Sequence, residues 1–181
     1  MYGSDIKYKR LVLTADTVKY VSGFSCGGID CIELNQYLLD EALEDENNVT
    51  YLYVEAKTKR PIAYASLSCS LLSWGNSAPP SPAVLIDKFA VDEKYQGMRF
   101  SALEKYSFSF VIFQDLLLMI SELASHSIGA KYVVLYATSN KAHHFYEKCF
   151  LADFDQYMVR SEDVKTSDCR PMYYRLNIQN T

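Results

Sequence analysis

The sequence predicts an α/β domain built around a mixed sheet, and three observations carry that prediction. Apolar, β-prone runs alternate with helical stripes along the chain. One run, "KYVVLYA" (131–137), places Val133, Val134 and Leu135 in succession, the pattern of a strand covered on both faces. Hydrophobic content of 49% and charged content of 22% over 181 residues suit a single globular domain with a substantial core.

The elements follow in order. "YKRLVLTA" reads as a first strand. "SGFSCGGID" is a turn cluster, with Asp30 placed to cap the helix after it. In that helix Leu34, Tyr37, Leu38 and Ala42 share one stripe, and Glu33, Gln36, Asp40 and Glu41 fall elsewhere. "VTYLYVEA" and "PIAYASLSCSLL" are β-rich runs around "KTKR", the pattern of an antiparallel hairpin. "WGNSAPPSP" (74–82) is too short to separate domains and reads as an internal loop before the strand "AVLIDKFAV". A long helix, capped by Ser109, carries Phe113, Leu116, Leu117, Ile120 and Ala124 on one stripe. Ile112, Leu118 and Met119 widen that stripe, and Gly129 stops the helix. After the buried strand comes a shorter helix, "SNKAHHFYEKC", with Ser139 or Asn140 as its N-cap. "DQYMVR" and "MYYRLNI" close the chain as strands. The whole predicts a mixed sheet with helices on both faces.

Composition narrows the function. A formal charge of −4 and a pI near 5.4 argue against broad binding to nucleic acid or anionic membranes, which calls for a basic surface. The first five residues lack the basic start and apolar run of a leader, so a cytoplasmic protein is expected. The most apolar stretch, 108–120, contains Gln114 and Asp115 and is too short to cross a bilayer. Five scattered cysteines without a CxxC spacing read as reduced thiols, with neither a disulfide framework nor a zinc site expected.

The chemistry concentrates in a strand, turn, helix and strand between Val84 and Ala137. A helix N-terminus offers unsatisfied N–H groups and partial positive charge, so a turn leading into one suits a diphosphate. Only Gly97 supplies the usual glycine, with Arg99 two residues later. The pattern fits an unusual phosphate cradle or a plain connector.

The element order, "FAVDEKYQG" and "NKAHHFYEK" together resemble the GNAT family of acetyl-CoA-dependent N-acyltransferases, over roughly Phe24 to Phe154. The resemblance implies a single-domain fold over 1–181 in which the strand before the turn splays from a parallel neighbour. It implies acetyl-CoA as cosubstrate and no metal. Phe89, Ala90 and Val91 would line pantetheine through their backbone. Gln96, Gly97, Met98 and Arg99 would form the pyrophosphate loop, with Ser139 and Asn140 also at the cofactor. Arg99 and Ser101 stand where that family has small residues, and about a dozen residues separate the turn from its helix. Arg99 or Lys105 is a candidate to replace backbone contacts by charge pairing.

By the same resemblance Tyr146 is the acid that protonates the leaving thiolate, a task suited to a phenol. Ser139 replaces the family's usual Asn, and Phe150 its usual helix-ending Gly. Asp87 is the candidate base or ammonium anchor, with an ion pair to Lys88 as the alternative. His143 and His144 are adjacent, do not share a face, and read as surface residues. The leading function is N-acetylation of a small-molecule or peptide amine, and a non-catalytic GNAT-like CoA-binding or interaction module is the alternative. "FSCGGIDCIELNQYLLDEA" also resembles toxin-type GNATs, which acetylate aminoacyl-tRNA and pair with an antitoxin. The acidic charge sets nucleic acid below the other acceptors without removing tRNA. Exposed tyrosines and terminal strands permit a homodimer.

Overall fold

The computed structural model describes residues 6–27, 31–73, 79–100, 105–154 and 169–177. Asp30, Ser101, residues 74–78 and the strand expected at 155–160 lie outside the described residues. Across the sheet the strands follow the order β1 (Tyr8–Val12), β2 (Val49–Glu55), β3 (Pro61–Leu72), β4 (Ser81–Val91), β5 (Tyr132–Ala137), β7 (Arg170–Arg175) and β6 (Ala152–Asp153). The helices are α1 (Cys31–Gln36), α2 (Phe108–Leu123) and α3 (Asn140–Lys148). A π turn extends α1 over Tyr37–Glu41, and another extends α2 over Ala124–Ile128. The β4/β5 pair is parallel, whereas β1/β2, β2/β3, β5/β7 and β6/β7 are antiparallel, so the sheet is mixed as the sequence predicts.

The chain packs as two compact units, Met1–Leu67 with Asp87–Asp115, and Ser68–Ile86 with Leu116–Thr181. In the first, Leu13, Phe24, Leu52, Val54, Tyr64 and Ala90 form a core onto which α1 and its π turn lay Tyr37, Leu38 and Ala42. These helical residues are the stripe read from the sequence. The β2–β3 hairpin turns where "KTKR" lies, with Lys59 in a left-handed conformation at φ 62°. Its ends are tied by Glu55 N–H to Arg60 C=O at 2.9 Å. In the same unit Arg10 on β1 pairs with Asp115 near the middle of α2 at 2.6 Å.

In the second unit Leu72, Ala83, Val134 and Phe154 pack together. Val133, Val134 and Leu135 are all buried, as their succession implies. On α2 and its π turn, Ile112, Phe113, Leu116, Leu117, Met119, Ile120 and Ala124 are buried. Leu118 is exposed, against the expectation that it widens the stripe, because it lies about 200° round the helix from Leu116 and Ile120. Helix α2 starts at Phe108, one residue before the expected cap. Ser107 Oγ accepts the Phe110 N–H at 3.2 Å, so Ser107 performs the capping role assigned to Ser109. The run Phe108–Ile128 spans 21 residues and matches a membrane span in length and apolarity, longer than the 108–120 stretch suggested. Its buried residues are those expected of a core helix.

Parallel pairing of β4 with β5 is described over four residue pairs, from Ala83↔Tyr132 to Ile86↔Leu135. Beyond that register β4 runs five residues further, to Val91, and β5 two further, to Ala137.

Helix α3 ends with Phe150 at φ 72°, a conformation glycine adopts without strain and phenylalanine does not. Phe150 is 70% exposed, so its ring recovers little of that cost by burial. Replacing Phe150 with Gly is expected to stabilise the fold by about 0.5–1 kcal/mol in urea unfolding. Phe150→Ala, which keeps the Cβ, is expected to bring no such gain.

Candidate functional site

The residues singled out from the sequence lie on two stretches, the end of β4 with its turn and the helix α3. On β4, Asp87 is exposed and pairs with Lys88 Nζ at 2.8 Å. The Lys88 ammonium also stands over the Tyr37 ring, 4.3 Å from its centre. Burial pulls the Lys88 pKa down, but Asp87 and its other negative neighbours outweigh it and the net shift is upward. Phe89 packs edge-on against Phe113 at 5.0 Å, and Ala90 and Val91 are buried.

The turn after Val91 is organised by Asp92, which is only 1% exposed. Its carboxylate accepts the Ser25 N–H at 3.1 Å and the Lys94 N–H at 3.0 Å. Its carbonyl accepts the Tyr95 N–H at 2.9 Å and the Gln96 N–H at 3.2 Å, and its own N–H donates to Ile62 C=O at 2.8 Å. A carboxylate this buried is tolerable only with such partners. Gln96 is exposed, yet its Nε2 donates to Cys26 C=O at 2.5 Å and Val91 C=O at 2.7 Å. Glu93 N–H adds a bond to Ser25 C=O at 2.8 Å. The turn is therefore riveted to the Ser25–Cys26 segment. Gly27 allows that approach: a Cβ there would meet Glu93 Oε2 at 2.8 Å, and its φ is +60°.

Gly97 has φ +72°, and the space a Cβ would fill is open. Its role is conformational, and the opening leaves room for a ligand to reach the backbone. Met98 is half-buried and Arg99 exposed. Residues 98–100 fold back on 106–108: Phe100 N–H donates to Tyr106 C=O at 3.1 Å and Phe108 N–H to Met98 C=O at 2.7 Å. Arg99 bridges Ser107 within that fold-back. Arg99 and Lys105 are both exposed.

On α3, Ser139 is the N-cap. Its backbone is extended and its Oγ accepts the Ala142 N–H at 3.2 Å, while Asn140 is the exposed first residue of the helix. Tyr146 is half-buried and its ring meets Phe145 edge-on at 5.4 Å. Burial, and then the neighbouring Cys149 thiol, push the Tyr146 phenol well above its usual range. His143, expected at the surface, is buried. Its Nε2 lies 2.6 Å from Asp153 Oδ1 on β6, and its Nδ1 lies 3.7 Å from Glu147 Oε2. His144 is exposed, so adjacent histidines do take different faces. Asp92 is not among the residues the sequence singles out, and His143 is one the sequence places at the surface. Asp two residues before an N–H it accepts is a readable turn signal, whereas nothing local announces Asp153 as a partner.

No protein-family model and no curated protein sequence matches the chain. Solved structures do. A KacTA–DNA complex superposes with a TM-score of 0.69 at 21% identity, covering 94% of each chain. A tyrosine-to-phenylalanine mutant of the toxin AtaT, bound to the C-terminus of the antitoxin AtaR and acetyl-CoA, gives 0.70 at 17% identity, covering 96% of this chain and 94% of that one. AtaT complexed with acetyl-methionyl-tRNAfMet gives 0.68 at 17% identity, covering 93% and 95%. The chain has the GNAT fold. The likeness extends well past Phe24–Phe154, to nearly the full length.

Within this GNAT fold the β4 turn is held by side chains in place of glycines. Asp92→Ala is expected to cost about 1–3 kcal/mol in urea unfolding, because it strands the Ser25 and Lys94 N–H groups. Asp92→Asn, which keeps an acceptor, should lose markedly less. The raised Tyr146 pKa has its own signature. The fold favours the neutral phenol, so the stability tied to it is intact below the unfolded value near 10 and erodes as pH rises beyond it. The phenolate absorbance difference between wild type and Tyr146→Phe should therefore stay flat through the pH range in which exposed tyrosines ionise.

Proposed function

We propose that the protein is an acetyl-CoA-dependent N-acetyltransferase. The observation that carries the reading is a half-buried tyrosine, Tyr146, on α3, in a fold shared over 96% of the chain with a toxin solved with acetyl-CoA. In this reading the backbone of Phe89, Ala90 and Val91 lines the pantetheine, and the turn at Gly97 takes the pyrophosphate. The Gln96 side chain ties that turn to Cys26. Arg99, exposed where residues 98–100 meet 106–108, supplies positive charge to the phosphates, and Ser139 and Asn140 complete the cofactor set at the start of α3. The acceptor nitrogen attacks the thioester carbonyl, the C–S bond breaks, and Tyr146 gives its proton to the departing sulfur. Asp87 is the group on β4 able to take a proton from the amine or to anchor it. No metal is called for.

A specific observation favours one acceptor class. AtaT has been solved with acetyl-methionyl-tRNAfMet, and the acidity of this chain is confined. Residues 20–56 hold eight of its 22 acidic residues and none of its 18 Lys and Arg, which leaves the remainder net basic. The overall charge is therefore a poor argument against an RNA-linked amine, and the α-amino group of an aminoacyl-tRNA joins small-molecule and peptide amines as acceptor. An antitoxin partner, as in the AtaR complex, belongs to the same reading.

Titration with acetyl-CoA is expected to raise the melting temperature, and thiol release should follow with amines or aminoacyl-tRNA. Tyr146→Phe should lower kcat by about tenfold to a thousandfold with little change in the KM for acetyl-CoA. No thermal shift at millimolar acetyl-CoA would replace the enzyme with a non-catalytic module. An unchanged kcat in the variant would remove Tyr146 from the chemistry.

A further inference from the structure

Helix α1 and its π turn have two apolar sides, and the core uses one. Tyr37, Leu38 and Ala42 are buried. Ile32 is 75% exposed, Leu39 47% and Leu43 40%, with Leu39 and Leu43 one turn apart and Ile32 two turns earlier. Glu33, Asp40, Glu41 and Glu44, interspersed with them, are also exposed. No Lys, Arg or His occurs between Lys19 and Lys57, and of these carboxylates Glu33 lies within electrostatic reach of Lys88 on β4. Asp45 is engaged internally with Tyr37 and Asn48, both at 2.7 Å, and belongs to the scaffold.

Large aliphatic side chains held in water on a helix, among charges of one sign, mark a contact surface more than a solvated face. The charge selects the occupant. A second copy of this chain would set carboxylates against carboxylates at a two-fold contact. An anionic nucleic acid or lipid surface would be repelled. A segment with aliphatic residues on one side and Lys or Arg beside them satisfies both features, laying apolar anchors on Ile32, Leu39 and Leu43 and cations against the flanking carboxylates. We propose that the exposed side of α1 is a docking surface for a basic amphipathic segment of a partner protein. This inference stands whether or not the protein is an enzyme.

The test uses the full chain and a synthetic amphipathic helical peptide of Leu and Lys, with its scrambled sequence and a Leu/Glu counterpart as controls. Binding is followed by fluorescence anisotropy. The Leu/Lys peptide is expected to bind at least about tenfold tighter than the scrambled one, with no binding of the Leu/Glu peptide. Ile32→Ser, Leu39→Ser and Leu43→Ser together should weaken it by about tenfold or more, with circular dichroism unchanged. Glu33→Gln, Asp40→Asn, Glu41→Gln and Glu44→Gln together should weaken it severalfold and flatten its salt dependence. Equal binding of the scrambled peptide, or unchanged binding by the serine variant, would overturn the proposal. So would sedimentation showing a wild-type dimer that the serine variant dissolves, since the occupant would then be a second copy.

Discussion

A carboxylate buried where β4 ends sets the terms for the turn that follows. Asp92 accepts two backbone N–H groups through its side chain and two through its carbonyl. A turn rich in glycine reaches a sharp shape because its backbone meets no steric penalty. This turn contains one glycine and reaches its shape by ligation instead. Asp92 and Gln96 stitch it to the Ser25–Cys26 segment, and Gly27 permits the contact. The N–H groups of Lys94, Tyr95 and Gln96 are spent inside the turn, so the diphosphate contacts proposed for it would fall to Gly97, to residues beyond it and to cationic side chains. Arg99 and Lys105, beyond the turn, are exposed cations.

Most of the architecture was legible because its signals are local. Helical stripes, the succession Val133–Val134–Leu135 and the β2–β3 hairpin each follow from periodicity over a few residues. Individual positions slipped where two adjacent choices are nearly equal, as with Ser107 in place of Ser109, or where a face was drawn too wide, as with Leu118. The site was less legible. That α3 is capped at Ser139 or Asn140 can be read in sequence, because a cap is a local signal, and the family resemblance marks Phe150 as standing at the helix-ending Gly position. That Gln96 bonds to Cys26, or that His143 is buried against Asp153, depends on segments far off in the chain. Adjacent histidines do face different ways, and which of them is buried is set by the distant partner Asp153.

The same distinction separates charge from composition. A net charge is a sum, and binding responds to where the charges sit. Eight carboxyl-bearing residues between Tyr20 and Ala56, with no basic residue among them, dominate the balance of the whole chain. Taken as a sum they argue against nucleic acid; taken as a location, five of them fall between Asp40 and Glu46, after α1, and the rest of the chain is net basic.

Helix α1 then does two things through one short stretch. Its inner residues close a core against Tyr64 and Leu52, which fixes the helix in place. Its outer residues keep aliphatic groups in water among carboxylates, which weakens nothing in the isolated protein because their helix is already anchored. A surface of this kind is stable without a partner and specific for one, since apolar area supplies the attraction and the acidic surround rejects anionic surfaces. The core-facing side is what makes the exposed side available: were α1 held by fewer buried contacts, Ile32, Leu39 and Leu43 would compete to enter the core, and the helix would roll to cover them.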